Sequence, residues 1–323
     1  MHNYSDSFIK LSSLLTTMLD DILIKKEPTS LYNPVNYLLK QKGKNTRSLL
    51  TLLTANFWNI NINKIKHLVL AIESLHNFTL IHDDVMDNAL LRRGNPTINS
   101  KWSNNQAILS GDVLIIHAYK HLLKSNFSQE LLNYFTQTSI EICEGQQLDL
   151  DLQKTKDLSL NQYYKMIYLK TGVLIKFALS APCYLSEKSI HHLNEINRLG
   201  DSLGTLFQIQ DDYLDLYGQQ SQTGKLLGGD IFENKKTFLY ATALDSSNKH
   251  QKEELIKVYH SQDDDKLERV CSIFDNLNVR NIVNNKIKGL SSDILEIIRN
   301  LDVDVEKKNL FLEFIHTVLN RKK

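Results

Sequence analysis

Apolar residues recur along most of the chain at the three-and-four spacing of one helix face, and runs that alternate with the period of a strand are almost absent. The pattern predicts helices over 5–26, 34–41, 46–59, 63–89, 104–125, 128–151, 159–183, 187–217, 233–247, 249–260, 263–277, 279–299 and 304–320. Four prolines, Pro28, Pro34, Pro96 and Pro182, fall where that pattern breaks or pauses. No repeat, low-complexity linker or shift of composition divides the chain. Residues 1–323 are therefore read as a single all-α domain despite the length.

Two segments stand apart. LVLAIESLHNFTLIHDDVMD (68–87) and RLGDSLGTLFQIQDDYLDLYG (198–218) are apolar around most of the helix circumference, which predicts burial on all sides. Both carry aspartates toward the C-terminal end, where the helix dipole is unfavourable for negative charge. At about 100° per residue, Asp83 and Asp87 share a face with Asp84 beside them, and Asp211, Asp212 and Asp215 repeat the geometry. Six carboxylates facing one cavity cannot all stay ionised without cations. Magnesium suits them, because it takes oxygen ligands, keeps waters and shares carboxylates with substrate phosphates. Zinc would call for Cys or His, and only His82 is adjacent. A third acidic run, Gln262-Asp263-Asp264-Asp265-Lys266, has polar neighbours and reads as the capped, solvated start of a helix.

The formal net charge of +1 excludes a global basic field for nucleic acid or an anionic membrane, so phosphate binding must rest on local clusters. Those clusters exist. Lys42, Lys44 and Arg47 precede a helix; Arg92-Arg93 follow the first acidic helix; Lys170-Thr171-Gly172 lie in a helical stretch between Lys165 and Lys176. Lys225 sits in the TGKLLGGD loop, and Lys235-Lys236 follow Asp230. Together they suit two diphosphates, one with metal and one without, Arg gripping phosphate as a fork and Lys as a point charge. The TGKLLGGD loop has neither the spacing nor the preceding strand of a Walker motif. Cys143, Cys183 and Cys271 are too scattered for a disulfide framework or zinc site, which predicts a reducing, cytoplasmic setting. The N-terminus lacks the pattern of a signal peptide, and no uninterrupted apolar run approaches the roughly 18 residues of a transmembrane helix.

In their order, these residues resemble the trans-isoprenyl diphosphate synthase (polyprenyl synthetase) family over nearly the whole chain. The resemblance rests on Gly43-Lys44-x-x-Arg47, Glu73-x-x-His76, Asp83-Asp84-x-x-Asp87 with Arg92-Arg93, Gly145-Gln146-x-x-Asp149 and Lys170-Thr171. It continues through Phe207-Gln208 before Asp211-Asp212-x-x-Asp215, and Gly224-Lys225 through Asp230 to Lys235. Two departures are visible: Ser48 where the family often has proline, and Asn234-Lys235-Lys236-Thr237 in place of Gly-Lys-x-Thr. The resemblance implies the isoprenoid-synthase fold, a single large helical bundle around a central cavity, and a homodimer. It also implies magnesium-dependent head-to-tail condensation of isopentenyl diphosphate with dimethylallyl, geranyl or farnesyl diphosphate. Carried over residue by residue, Asp83, Asp87 and Asp211 become metal ligands, with Asp84, Asp212 and Asp215 in or near the same shell. Arg92, Lys170, Lys225 and Lys235 grip the allylic diphosphate, Lys44, Arg47, His76 and Arg93 hold isopentenyl diphosphate, and Gln208 and Asp149 stand behind them. Thr171 and the Lys170 carbonyl face the developing cation. Phe78 and Thr79, one turn before Asp83, set product length at fifteen to twenty carbons.

Other readings predict other residues. A terpene cyclase needs no second basic cluster, and a head-to-head synthase carries differently spaced acids. A non-catalytic partner subunit should have lost one acidic motif. A His-Asp phosphohydrolase, suggested by His82-Asp83, lacks its other ligands at convincing spacing. A longer-chain polyprenyl diphosphate synthase remains the alternative within the family.

Overall fold

Side-chain caps decide where many of the helices begin. Ser5, Asn61, Ser103 and Thr237 each accept a backbone N–H of the helix that follows. Ser159 with Gln162, and Asn248 with Gln251, form reciprocal capping boxes. The computed structural model describes residues 5–41, 43–124, 127–218 and 227–319, without the Lys188 side chain. Lys42 and Lys225 lie outside the described residues.

Among the described residues the helices are α1 (Asp6–Leu19), α2 (Thr29–Leu39), α3 (Thr46–Phe57), α4 (Ile62–Met86), α5 (Ile98–Lys101), α6 (Asn104–Leu123), α7 (Gln129–Gln153), α8 (Leu160–Ile167), α9 (Val173–Ser180), α10 (Glu187–Ile190) and α11 (Leu193–Tyr217). They continue as α12 (Gly229–Phe232), α13 (Phe238–Ser246), α14 (Lys249–Tyr259), α15 (Lys266–Asn276), α16 (Val279–Asn300) and α17 (Val305–Leu319). The all-α expectation holds.

Three local differences from the periodicity have physical causes. The first helix stops at Leu19 rather than 26: Asp20-Asp21 oppose the dipole at its C-terminus, and Asn36 holds Ile24 outside the helix, accepting from its N–H at 2.9 Å and donating to its carbonyl at 2.7 Å. The stretch read as one helix over 159–183 contains a π-helical turn at Tyr168–Gly172, between α8 and α9. The stretch after α4 forms a hairpin, β1 (Leu91–Arg92) with β2 (Asn95–Pro96), around a two-residue turn whose residues both have positive φ, Arg93 at 53° and Gly94 at 75°.

The chain divides into two compact units. The first holds the described residues of Met1–Ser139, Leu174–Asn197 and Leu301–Glu313; the second holds those of Ile140–Val173, Arg198–Asn300 and Phe314–Lys323. In the first unit, Ile24, Val35, Leu38, Ile81, Ile98 and Leu114 form a buried cluster that joins α2, α4 and α6, and Phe78 packs against it. In the second, Tyr163, Ile209, Phe238, Tyr240 and Tyr259 belong to a core built from α8, α11, α13 and α14. The segment Leu160–Leu185 is long and apolar enough to cross a membrane by length and composition, although lysines interrupt it; 72% of its apolar window is buried inside the protein.

Candidate active site

In the first unit the chemistry gathers on the C-terminal half of α4 and what packs beside it. Glu73 is buried and held from two sides: Ser48 Oγ donates to its Oε2 at 2.7 Å, and Asn77 Nδ2 donates to its Oε1 at 3.1 Å. Ser48, the departure from the proline often seen there, thus has a structural task. One turn on, Arg47 Nη1 donates to His76 Nε2 at 3.3 Å. Burial first, then the charges of Arg47, Arg93 and Arg92, hold the His76 imidazole well below the ordinary histidine range. The neutral ring accepts through Nε2, so its proton sits on Nδ1.

The first aspartate motif divides its labour. Asp84 is buried and accepts from Arg92 Nε at 2.8 Å. Burial raises its pKa even against the Arg92 charge and hydrogen bond. Asp83 is half-buried, and Asp87, at the C-cap of α4, is exposed. The hairpin sets the arginines: Arg92 turns inward to Asp84, while Arg93 occupies a left-handed backbone position and lays its guanidinium against Gly43, where an added Cβ would stand 2.7 Å from Nη1. A non-glycine residue held at that φ costs of order 1–3 kcal/mol and marks a conformation imposed by its surroundings. Lys44 is exposed. His82 lies 3.2 Å from the Ile108 carbonyl, 3.7 Å from Asp112 and against Gly111 of α6.

In the second unit, the π-helical turn is clamped between two glycines. A Cβ at Gly145 on α7 would fall on the Lys170 backbone, and one at Gly204 on α11 would stand 2.7 Å from Gly172 Cα. That close approach explains why the stretch is not a plain helix: the extra residue of a π turn lets the backbone swing in and re-aims Lys170 and Thr171. Lys170 Nζ donates to Asp149 Oδ2 at 2.6 Å. Thr171 Oγ1 donates to Gln208 Oε1 at 3.1 Å, and Gln208 Nε2 donates to Asp212 Oδ1 at 2.9 Å.

Asp212 ends that chain. It is buried, and its Oδ2 accepts from Tyr163 OH at 2.7 Å and from Phe238 N–H at 2.6 Å. Burial pushes its pKa up to about 7 against those donors. Asp211 is exposed. Asp215 accepts the Asp230 N–H at 3.0 Å through Oδ2, capping the turn that becomes α12. Lys235 reaches Glu233 at 2.8 Å and Asp230 at 3.4 Å.

Both aspartate motifs therefore follow one plan. The middle carboxylate, Asp84 or Asp212, is buried and held by protein donors, one at Asp84 and three at Asp212, while Asp87 and Asp211 are exposed. Among the described residues no three His, Cys, Asp or Glu side chains converge to hold a metal by themselves. Sequence reasoning missed Tyr163, whose place in the mixed polar and apolar start of a helix carries no signal that it serves a carboxylate.

A model of the family described as polyprenyl synthetase matches residues 28–277. The chain is 31% identical over 278 residues to a short chain isoprenyl diphosphate synthase of Methanothermobacter thermautotrophicus, covering 85% of this chain and 86% of that one. It is 35% identical over 240 residues to a geranylfarnesyl diphosphate synthase of Natronomonas pharaonis, covering 68% of this chain and 70% of the other. A crystal structure of a geranylgeranyl pyrophosphate synthase matches with a TM-score of 0.88 at 34% identity, over 99% of this chain and 100% of that one.

Proposed function

The chain belongs to the polyprenyl synthetase family, and from that membership we propose that it condenses isopentenyl diphosphate head-to-tail with allylic diphosphates to give a short trans-prenyl diphosphate. The observation that carries this reading is the shared plan of the two aspartate motifs, with the middle carboxylate, Asp84 or Asp212, fastened into the protein and an exposed one, Asp87 or Asp211, beside it. A structural acidic helix has no need of that division. The donors are hard carboxylate oxygens without thiols, and too few to enclose an ion, which fits magnesium completed by diphosphate oxygens and water. Asp83, Asp87 and Asp211, with Asp215, would hold it; when bound, it neutralises charge on the departing diphosphate.

The chain's own residues do the rest. Arg92, Lys170, Lys225 and Lys235 grip the allylic diphosphate, and Lys44, Arg47, Arg93 and the neutral His76 hold isopentenyl diphosphate. The allylic C1–O bond breaks, and negative charge grows on the leaving group where preorganised cations meet it. Thr171 Oγ1 and the Lys170 carbonyl, aimed by the π turn, place oxygen dipoles near the allylic cation. The terminal double bond of isopentenyl diphosphate then bonds to C1, and its C2 proton passes to the departing diphosphate, so no side-chain base is required. Gln208 and Asp212 keep Thr171 oriented.

Product length follows from α4. Each methylene added to a growing tail gains about 0.8 kcal/mol on burial, so hydrocarbon affinity does not stop growth and a steric floor must. Phe78 packs its ring 4.7 Å from that of His82 and rests on the buried cluster, while Thr79 ties its hydroxyl to the His76 carbonyl at 2.7 Å. With one aromatic and one small residue there, the product is fifteen or twenty carbons, with twenty favoured. Incubating the protein with magnesium, radiolabelled isopentenyl diphosphate and each allylic diphosphate, then separating the dephosphorylated products, tests both the reaction and its length. Phe78→Ala should shift the product up by at least one five-carbon unit. A wild-type product of thirty carbons or more, or no shift in Phe78→Ala, places the floor elsewhere; no condensation at all identifies a non-catalytic subunit.

The same reading includes a homodimer. On α6, Leu109, Ile116 and Leu123 stand seven residues apart and are 55%, 65% and 66% exposed, a stripe that suits a second copy of the chain. Ile116→Glu should halve the mass measured by light scattering at micromolar concentration. An unchanged mass would exclude this stripe as the contact. We also place the chain as one polyprenyl synthetase domain, since the boundary between the units falls inside continuous helices α7 and α11. Three unpaired cysteines favour a reducing, cytoplasmic setting.

A further inference from the structure

Two lysines are buried behind the segment that carries Lys235. Lys236 is 3% exposed and Lys266 1%. Among the described residues no carboxylate acts on either ammonium. Lys266 also opens helix α15, the end at which the backbone dipole repels a cation. A buried ammonium without a counter-charge is costly, and its retention calls for a task.

The contacts of the pair show what that task is. Lys266 Nζ donates to Asn234 Oδ1 at 2.8 Å, and Asn234 stands at a φ of 57°. Tyr259, whose ring centre is 5.6 Å from Lys266 Nζ, donates its hydroxyl to the Lys235 carbonyl at 2.6 Å. Lys236 Nζ sits 5.0 Å and 5.7 Å from the ring centres of Tyr240 and Tyr259 and 3.4 Å from His260 Nε2. The two tyrosine rings are 4.1 Å apart. Aromatic faces thus take the place of carboxylates as the partners of both ammoniums. Burial, and then the Lys266 charge, push Lys236 down to about 8, so the pair is held together against its own repulsion. Residues 234, 235 and 236 each have their own tether on α14 or α15, and only the Lys235 side chain points outward, to Glu233 and Asp230.

We propose that Lys266 is the positioning residue of Lys235: it fixes Asn234 in the left-handed conformation and, with Tyr259, turns the Lys235 ammonium toward the allylic diphosphate. This rests on the proposed function. The aromatic cage thus holds the backbone of the segment through Asn234 and the Lys235 carbonyl, while the Lys235 side chain stays at the surface beside Glu233 and Asp230.

A double-mutant cycle in steady-state kinetics tests it. Lys266→Met should lower kcat/KM for the allylic diphosphate roughly tenfold, the loss of one charge-assisted hydrogen bond, with the KM for isopentenyl diphosphate unchanged. Lys266→Arg should restore most of it. Because Lys266 acts through Lys235, the Lys235→Met/Lys266→Met double variant should be no worse than Lys235→Met alone. Multiplying losses in the double variant, or an equal effect on isopentenyl diphosphate, would overturn the proposal. Asn234→Gly keeps the positive φ, removes the acceptor and leaves the buried charge in place. It should reproduce the Lys266→Met loss, and it decides the matter if Lys266→Met does not fold: wild-type constants in Asn234→Gly would refute the tether. A wild-type protein that fails to condense its substrates in the same assay refutes the functional reading instead. Calorimetric binding of pyrophosphate with magnesium, weaker in Asn234→Gly than in wild type, then reports on the tether alone, and equal affinities reject it.

Discussion

Alanine at Asp211 or Asp83 is expected to slow condensation by roughly a thousandfold or more while the protein stays as stable as wild type. Asp211 is exposed and Asp83 half-buried, so neither truncation opens a cavity in the core. Each removes an outward carboxylate from the charge balance around the leaving diphosphate, an effect worth several kcal/mol. Asp212→Ala should behave differently. It strips the acceptor from Tyr163 OH, Phe238 N–H and Gln208 Nε2, and each buried donor left unpaired costs about 1–3 kcal/mol. Its thermal midpoint should fall sharply, and Asp212→Asn, which keeps an oxygen for Tyr163 and Phe238, should recover much of that loss. Turnover with magnesium in excess and scanning calorimetry on the same samples separate the two classes. Near-normal turnover in Asp211→Ala ends the metal reading; an Asp212→Ala as stable as Asp211→Ala ends the division of labour between neighbouring aspartates.

Gly145→Ala is expected to damage both stability and turnover, although alanine is ordinarily the better helix former by about 1 kcal/mol. The new methyl would lie 2.6 Å from Lys170 Cα and 2.5 Å from the Leu169 carbonyl carbon, and backbone cannot rotate out of the way. Overpacking of this kind costs about 1–3 kcal/mol. It also pushes the π turn off Gly145 and moves Lys170, which pairs with Asp149 at 2.6 Å, and Thr171 with it. A displacement of about 1 Å at such a site is worth roughly a hundredfold in rate. Gly289, exposed in α16 with nothing within 4 Å of an added Cβ, provides the control: Gly289→Ala should stabilise by about 0.5–1 kcal/mol with unchanged turnover. Equal effects at the two glycines would remove the clamp from the account of the site.

Some of the site was legible before any coordinates. The aspartates announced themselves because charge inside an all-round apolar helix contradicts burial unless something completes it, and Asp83, Asp84, Asp87, Asp211, Asp212 and Asp215 all carried that contradiction. Their roles were not legible. Asp83 and Asp84 differ by one step around the helix, yet Asp83 is half-buried while Asp84 is buried against the Arg92 guanidinium. Ser48 looked like a lost family feature and proved to hold Glu73. Lys266 looked like the end of a solvated acidic run; Asp263 and Asp265 do face Arg269 in solvent, at 3.2 Å and 3.6 Å, yet the lysine beside them turns inward.

Sequence by itself determined the elements and the chemistry of this protein. Helical periodicity, side-chain caps and the charge types in each motif are local, and local rules suffice to read them: an oxygen at a helix start satisfies an orphan N–H whatever lies beyond. Tertiary structure alone decided aim. The π turn at Tyr168–Gly172 shifts the register by a single residue, too little to disturb an apolar period, and it exists because Gly145 and Gly204 allow two helices to press on that backbone. The fixed partners of Asp212 and the tethers under Lys235 come from residues remote in sequence, such as Tyr163 and Phe238 for Asp212 and Lys266 for Asn234. No pattern along the chain encodes those distances, because they arise only when packed elements bring buried donors and acceptors together and each must find a partner away from water.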